Sequence, residues 1–447
     1  MKDSTKTIDM LHGPLTFKII MFALPIALSN MLQQLFHAAD TSVVGHFADA
    51  NALAAVGTNG EIVALLVAMS SGLSVGINVL LAKYIGEKNS QSISDALHTS
   101  ILLALILGLF GGLSGQVISA PLLNAIHTPD TVLPLAITYL RLYFLGYPFL
   151  MLFDFSAAIL RAKGDSRRPF IALTISGCVN VVLNLFFVIV CNLGVVGVAI
   201  ATDISTAVSA LLVLIWLHKE ASFFHFSFKK LCFRKAYISP ILTIGIPSAI
   251  QGAVFCFANI FVQATVNSFG AIATAGSTIA MNFEYFGYYM ITAYGQTATT
   301  FSSQNFAAGK MKRCKQTLLI SLALSVLFSA AITIPLTIWR FPASMLFSSE
   351  KAVIESACLR IMLILIVEPI CSFYEIPAGV LRGSGHSAFP AIVTIIGTCL
   401  LRIIWIFTVF HYYHTQESLF IIFPISWVIT IIFMSIGFLI INPFKDT

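Results

Sequence analysis

The segment LRAKGDSRRP at residues 160–169 recurs as LRGSGHSAFP at residues 381–390. Leucine, arginine, glycine, serine and proline keep the same spacing in both copies, which lie 221 residues apart. Other correspondences extend outward at similar offsets, such as Pro25 with Pro247. A repeat at about half the length of the chain predicts two related structural halves.

The composition is that of an integral membrane protein. Of the 447 residues, 58% are hydrophobic and 10% are charged, whereas about a quarter of the residues in soluble domains are charged. Twelve membrane helices of about 23 residues account for most of such a chain, which leaves no room for a separate catalytic domain. The sequence has no P-loop, no HExxH motif and no metal-ligand spacing among its eight cysteines. We therefore expect neither an enzyme nor a cofactor.

Twelve apolar spans alternate with short polar loops. Lys and Arg concentrate in alternate loops, which predicts that both termini are cytoplasmic and accounts for the net charge of +6 without a nucleic-acid partner. The predicted spans are 17–44, 51–82, 93–118, 131–160, 169–191, 194–218, 237–268, 272–305, 316–339, 352–381, 389–412 and 418–441.

These spans divide into two lobes. We predict an amino-terminal lobe at 1–218, a cytoplasmic linker at 219–236 and a carboxy-terminal lobe at 237–447. Because each lobe has six spans, both share one orientation, and a pseudo-twofold axis along the membrane normal should relate them around a central cavity. The linker combines phenylalanines with lysines and arginines, so it is either a solvated tether or an amphipathic helix on the inner leaflet.

One group of polar residues in the first half forms a candidate ion site. Ionisable side chains inside a membrane are costly and tend to mark ion or substrate paths. Asp40, Asn184 and Thr202 lie at similar depths in the outer halves of their spans, and Asn180 lies one turn below Asn184 on the same helix face. A carboxylate surrounded by amide and hydroxyl oxygens suits a proton or a sodium ion. The alternative is ordinary hydrogen bonding between helices. We expect no other metal site.

A second group lies in the other half. Glu368 and Glu375 are seven residues apart on one face of the tenth span, and Arg402 is in the middle of the eleventh. Counted from the basic loop, Glu368 and Arg402 lie equally deep, which predicts an ion pair. That pair would either stabilise packing or take part in proton coupling.

Acidic residues also recur at equivalent positions of both halves. Glu61 corresponds to Glu284, and Asp154 to Glu375. Equivalent placement favours positions that face a cavity. Glu284 lies in an aromatic segment, so acid and rings together could attract a lipophilic cation, although such rings often face lipid instead. Further candidates for a substrate cavity are Gln34, Met69, Phe283, Phe286, Tyr288 and Gln296.

Three stretches together resemble the multidrug and toxic compound extrusion (MATE) family. They are DTSVVG at 40–45 with AAVG at 54–57, QNFAAG at 304–309, and the paired LRxxGxSxxP segments. The resemblance implies two six-helix lobes around a cavity that opens alternately to each side of the membrane. It implies export of organic cations in exchange for protons or sodium ions, with a cation site at Asp40, Asn180, Asn184 and Thr202.

We therefore expect a multi-pass protein of the cytoplasmic membrane that exports amphipathic organic cations or drugs by antiport. The coupling ion is H⁺ or Na⁺, and a single chain is expected to function as a monomer in the bilayer. The nearest alternative is a flippase for a lipid-linked precursor. A flippase of that kind favours a strongly basic cavity, whereas the intramembrane acids of this chain outnumber Arg402.

Overall fold

The computed structural model describes residues 7–48, 50–221 and 223–445, and within these ranges the chain is almost entirely helical, with no β-strand. Ten of its helices are long and apolar enough to cross a membrane. The predicted all-α membrane fold is confirmed. The chain ends, for which we predict a cytoplasmic location, lie outside the described residues.

The helices match the predicted spans, and most extend beyond them by several residues. We number the spans from one to twelve in chain order. Those of the first half are Leu15–Phe47, Ala50–Gly86, Ser90–Ala125, Leu133–Lys163, Arg167–Val190 and Gly194–His218. Those of the second half are Lys235–Asn267, Ala271–Ala307, Met311–Ile338, residues 351–383, Ala388–Tyr412 and Gln416–Ile441.

Two predicted spans are not among the ten apolar helices. The eighth is a continuous helix of 37 residues whose Ser, Thr, Gln and Asn side chains lower its hydropathy. The tenth is interrupted, because a π-helical turn at Ile361–Leu365 and a 3₁₀ turn at Glu368–Cys371 separate its two α-helical parts. Pro369 has no backbone N–H to donate and breaks the regular hydrogen-bond ladder. Glu368 therefore lies at a break within the membrane.

The repeated LRxxGxSxxP segment ends the fourth and tenth spans in the same way. Gly164 and Gly385 adopt the left-handed conformation, with φ of +101° and +94°. The N–H of Gly164 donates to Arg161 O at 2.9 Å, and that of Gly385 donates to Arg382 O at 3.0 Å. Glycine adopts this conformation without a steric penalty and so terminates helices. The sequence repeat is thus also a structural repeat.

The described residues form two compact units, and the boundaries fall inside the first and seventh spans. The first unit contains Leu28–Ala249, and the second contains Asp9–Ala27 with residues 250–445. Each boundary lies just after a proline within the helix, Pro25 in the first span and Pro247 in the seventh. Each unit therefore includes the beginning of a helix whose remainder belongs to the other unit.

Close packing holds the beginning of the seventh span in the first unit. A β-carbon on Gly72 would lie 2.5 Å from Ala249 Cα, and one on Gly76 would lie 2.0 Å from Ile241 O. Glycines spaced four residues apart let two helix backbones approach closely inside a membrane.

Ring packing and hydrogen bonds hold the beginning of the first span in the second unit. The ring of Phe22 meets that of Phe301 edge to face, at 5.6 Å between centroids. Just before this helix, Met10 O accepts hydrogen bonds from Asn305 Nδ2 at 3.2 Å and Arg313 Nε at 2.9 Å. Asn305 belongs to the QNFAAG segment, so that motif has a structural role at this position.

The linker packs against the third span. Phe226 is buried and stacks on His98, whose Nε2 accepts a hydrogen bond from the Ser227 N–H at 3.1 Å. Arg234 forms an ion pair with Asp95 at 2.5 Å. The linker residues that the structure describes between the sixth and seventh spans form only a 3₁₀ turn, at Phe228–Lys230. The linker is therefore neither an amphipathic helix nor a freely solvated tether.

Candidate functional site

The structure brings the four candidate residues of the first half together in the first unit. Asn184 Nδ2 donates hydrogen bonds to Asp40 Oδ1 and to Asn180 Oδ1, the latter at 3.2 Å. Asn180 Nδ2 in turn donates to Thr202 Oγ1 at 3.4 Å. Asp40 is 5% exposed and Asn184 is fully buried. A carboxylate, two amides and a hydroxyl therefore form one continuous chain of hydrogen bonds across three helices.

Helix geometry explains this convergence. Asn180 and Asn184 lie one turn apart on one face of the fifth span, because residues four apart share a helix face. The first span approaches this face closely, since a β-carbon on Gly177 would overlap the ring of Phe36 at 1.8 Å. Glycine at position 177 thus allows Asp40 to come within hydrogen-bonding reach of Asn184.

The donor set fits a proton or a hard cation. Both donor contacts of Asn184 use its amide nitrogen, so its Oδ1 is buried without a partner among the described residues. An orphaned buried acceptor beside a carboxylate is the arrangement that a small cation stabilises, since hard cations prefer oxygen ligands. The described residues contain no group of three or more His, Cys, Asp or Glu suited to a transition metal.

A cavity lies next to this cluster. Asp40, Asn180 and Thr202 line it, together with His37 from the first span. Asp203, which follows Thr202, is oriented differently and lies against Gly146, where a β-carbon would be 2.0 Å from Asp203 Oδ1.

A second cavity lies within the second unit. Glu284, one of its lining residues, is paired with Arg360 through bonds of 2.7 and 2.8 Å. Arg360 also donates to Ser277 Oγ at 2.5 Å. The sequence predicts that Glu284 attracts a cation, but Arg360 offsets its charge in this structure.

Glu368 and Arg402 line the same cavity, but the expected ion pair between them is not formed. Arg402 Nε donates to Ser426 Oγ at 3.2 Å, and the guanidinium carbon lies 4.1 Å from the centre of the Phe423 ring. Glu368 Oε2 is buried and has no hydrogen-bond partner among the described residues. Equal depth in the membrane was the basis of the prediction, and equal depth does not fix lateral position.

Glu375 is paired with the arginine of the repeated motif. Arg382 Nη1 donates to Glu375 Oε1 at 3.0 Å, and Arg382 Nη2 donates to Gln251 Oε1 at 3.2 Å. Asp154 and Arg161 occupy the corresponding positions of the first half. The motif therefore supplies an arginine seven residues after an intramembrane acid in both halves.

The remaining candidates are dispersed. Tyr288 lines the second cavity and stacks on Phe255, at 5.9 Å between ring centroids. Phe283 is buried against Phe347. None of the other predicted cavity residues lines either of these two cavities, and Glu61 and Met69 are exposed. The residues outside the cavities are Gln34, Glu61, Met69, Phe283, Phe286 and Gln296.

Arg360 and Arg382 are the functional candidates that sequence reasoning missed. In the repeat, Leu359-Arg360 corresponds to Leu140-Arg141, and Leu381-Arg382 corresponds to Leu160-Arg161. An arginine inside an apolar span tends to pair with an acidic side chain. This recurrence was the signal that could have identified them.

The sequence matches the MatE family twice, over residues 25–186 and 247–408, which together make up more than half of the chain. It is 24% identical to the probable multidrug resistance protein YoeA of Bacillus subtilis, over 88% of this chain and 86% of that protein. It is 26% identical to the probable multidrug resistance protein NorM of Thermotoga maritima, over 89% and 86%. A solved structure of a MOP superfamily transporter from Pyrococcus furiosus has a TM-score of 0.91 at 21% identity, over 100% of both chains.

Proposed function

Because this chain belongs to the MatE family of membrane transporters, we propose that it exports amphipathic organic cations or drugs by antiport against protons or sodium ions. The observation that carries the proposal is the hydrogen-bonded chain from Thr202 through Asn180 and Asn184 to Asp40. The similarity to YoeA and NorM, both named as probable multidrug resistance proteins, supports the choice of drug-like cations as substrates.

In this proposal Asp40 takes up the coupling ion. A proton on the carboxylate, or a sodium ion between Asp40 and the free Asn184 Oδ1, competes with the hydrogen bond from Asn184 to Asp40. The loss of that bond changes how the first span packs on the fifth. The first span contains Pro25, which removes one backbone hydrogen bond and allows the helix to bend. Ion uptake and substrate release are thereby linked through one helix.

The membrane location also belongs to the proposal. The distribution of Lys and Arg among the loops favours the cytoplasmic membrane with both termini inside. One chain carries both repeats, so we propose that a monomer is sufficient for transport.

The test is movement of ethidium, a lipophilic cation, into proteoliposomes under a pH gradient or a sodium gradient imposed separately. One proton exchanged for one monovalent cation moves no net charge, so one pH unit supplies about 1.4 kcal/mol and supports about a tenfold ethidium gradient. We expect accumulation under one of the two gradients, which identifies the coupling ion.

Asp40→Asn should abolish gradient-driven accumulation while the protein still inserts and purifies normally. The matched control is Asp203→Asn, since Asp203 is an acid of the same unit that lies against Gly146; this variant should keep its transport. Full export by Asp40→Asn would remove Asp40 from the mechanism. If the wild-type protein moves ethidium under neither gradient, cation antiport is wrong, and translocation of a lipid-linked precursor becomes the next assay.

A further inference from the structure

The second cavity contains two buried ionisable side chains, one basic and one acidic, that are not paired with each other. Arg402 is 2% exposed and Glu368 is 4% exposed, and both line this cavity. The two other charged lining residues, Glu284 and Arg360, are paired with each other. Arg402 and Glu368 therefore remain without an ionic partner among the described residues.

Arg402 is held in place but not neutralised. Its Nε donates to Ser426 Oγ, and its guanidinium carbon lies 4.1 Å from the Phe423 ring centre and 6.0 Å from that of Trp427. Both Nη atoms make no hydrogen bond with any described residue. A fixed guanidinium whose Nη1–Nη2 edge is free is suited to bind a planar carboxylate.

Glu368 is equally constrained. A β-carbon on Gly287 would lie 2.4 Å from Glu368 Oε2 and 2.7 Å from Thr333 Cγ2. The Glu368 carboxyl group is therefore packed closely against Gly287, with Thr333 nearby. Its Oε2 has no hydrogen-bond partner in the described part of the chain. A buried carboxyl group in this position can bind a cationic group that enters the cavity.

We propose that the second cavity binds zwitterionic ligands, with an anionic group at Arg402 and a cationic group at Glu368. This proposal rests on the proposed transport function and names the charge pattern of its substrates. A ligand with a single positive charge satisfies Glu368 but leaves Arg402 without a counter-charge, and burying an unpaired charge is costly. Aromatic lining residues such as Tyr288 and Tyr374 provide apolar contact for a flat ring system between the two charged groups.

The probes are rhodamine 110, which carries a free carboxylate beside its cationic ring system, and rhodamine 123, its methyl ester, which is only cationic. Dissociation constants are measured by fluorescence anisotropy on the full-length protein in neutral detergent. The readout is the ratio of the rhodamine 123 constant to the rhodamine 110 constant, which cancels general effects on dye binding. Arg402→Gln should lower this ratio about tenfold, which corresponds to about 1.4 kcal/mol.

Arg402→Lys keeps the charge but loses the planar guanidinium, so it should keep only part of the preference for the carboxylate. Ser426→Ala releases Nε from its one hydrogen bond and should lower the ratio by about threefold, so it tests the proposal even if Arg402→Gln does not fold. Glu368→Gln should weaken the binding of both dyes without changing the ratio. Arg141→Gln, a control at an exposed arginine of the first unit, should match the wild type.

A ratio that is unchanged in folded Arg402→Gln, or in Ser426→Ala if that is the variant available, would overturn the proposal. The measurement needs no ion gradient, so it is independent of the antiport assay. An unchanged ratio together with gradient-driven ethidium transport would reject the zwitterion site alone. A lowered ratio without ethidium transport would support the site and reject cation antiport.

Discussion

The guanidinium of Arg360 binds the carboxylate of Glu284 through two parallel hydrogen bonds, from Nε to Oε1 at 2.7 Å and from Nη2 to Oε2 at 2.8 Å. Arg360→Met should destabilise the protein by about 3–5 kcal/mol, because it leaves a buried carboxylate uncompensated. The double variant Arg360→Met with Glu284→Leu should recover most of this loss. Thermal unfolding of the wild type, the two single variants Arg360→Met and Glu284→Leu, and the double variant in detergent measures both effects. A double variant no more stable than Arg360→Met would show that the ion pair is not the source of the destabilisation.

Asn184 should determine the affinity for the coupling ion. Asn184→Leu removes the donor to Asp40 and the free Oδ1 beside it. The concentration of H⁺ or Na⁺ that gives half-maximal export should rise about tenfold, or about 1.4 kcal/mol. Transport in proteoliposomes at graded ion concentrations measures this change. Asn124→Leu is the control, since exposed Asn124 donates only to Ala120 O. An unchanged half-maximal concentration in Asn184→Leu would exclude the amide from ion binding.

Gly287 should tolerate no side chain. Gly287→Ala places a methyl group 2.4 Å from Glu368 Oε2 and 2.7 Å from Thr333 Cγ2. We expect a loss of about 1–3 kcal/mol in the free energy of unfolding, because overpacking forces neighbours to move. Gly60→Ala, at a helical site with open space, should instead stabilise by about 0.5–1 kcal/mol. Adding Glu368→Ala to Gly287→Ala removes the nearer obstacle and should restore part of the stability. Equal unfolding temperatures for the two alanine variants would contradict this account.

Glu220 should make stability depend on pH at the cytoplasmic side. Burial alone would raise the pKa of Glu220, but a hydrogen bond from Lys163 at 2.5 Å and an ion pair with Arg168 at 2.6 Å lower it below its usual value. A lowered native pKa stabilises the protein above the unfolded-state value of about 4.3. This stabilisation is lost as the pH falls through the lower native pKa.

Glu220→Gln should therefore reduce stability at pH 7 by about 1–2 kcal/mol, and the difference from wild type should vanish as the pH drops below 4. Unfolding temperatures of both proteins across that range test this expectation. Glu87→Gln, at an exposed pair with Lys83 of 3.8 Å, should change stability by less than about 0.5 kcal/mol at any of these pH values. A difference for Glu220→Gln that persists at the lowest pH would disprove the assigned cause.

The sequence predicted the features that depend only on position along the membrane normal. Hydropathy located the spans, and depth along the helices brought Asp40 and Asn184 together correctly, because residues on adjacent helices at one level have few alternative partners. The same reasoning was wrong for Glu368 and Arg402. Partners across a membrane also depend on helix rotation and on breaks such as the one at Pro369, and neither can be derived from counting residues. The pair between Glu284 and Arg360 was missed for this reason.

The two compact units do not coincide with the two sequence repeats. Residues 9–27 begin the first repeat but pack in the second unit, and the beginning of the seventh span, up to Ala249, packs in the first unit. A fragment that ends at the linker would therefore contain residues 9–27 without the second unit, against which they pack. A fragment that begins after the linker would likewise contain the beginning of the seventh span without the first unit. An ancestral half-length protein with the same arrangement would have exchanged its leading segment between two copies, as in a domain-swapped dimer. Duplication and fusion would then have made that exchange permanent within one chain.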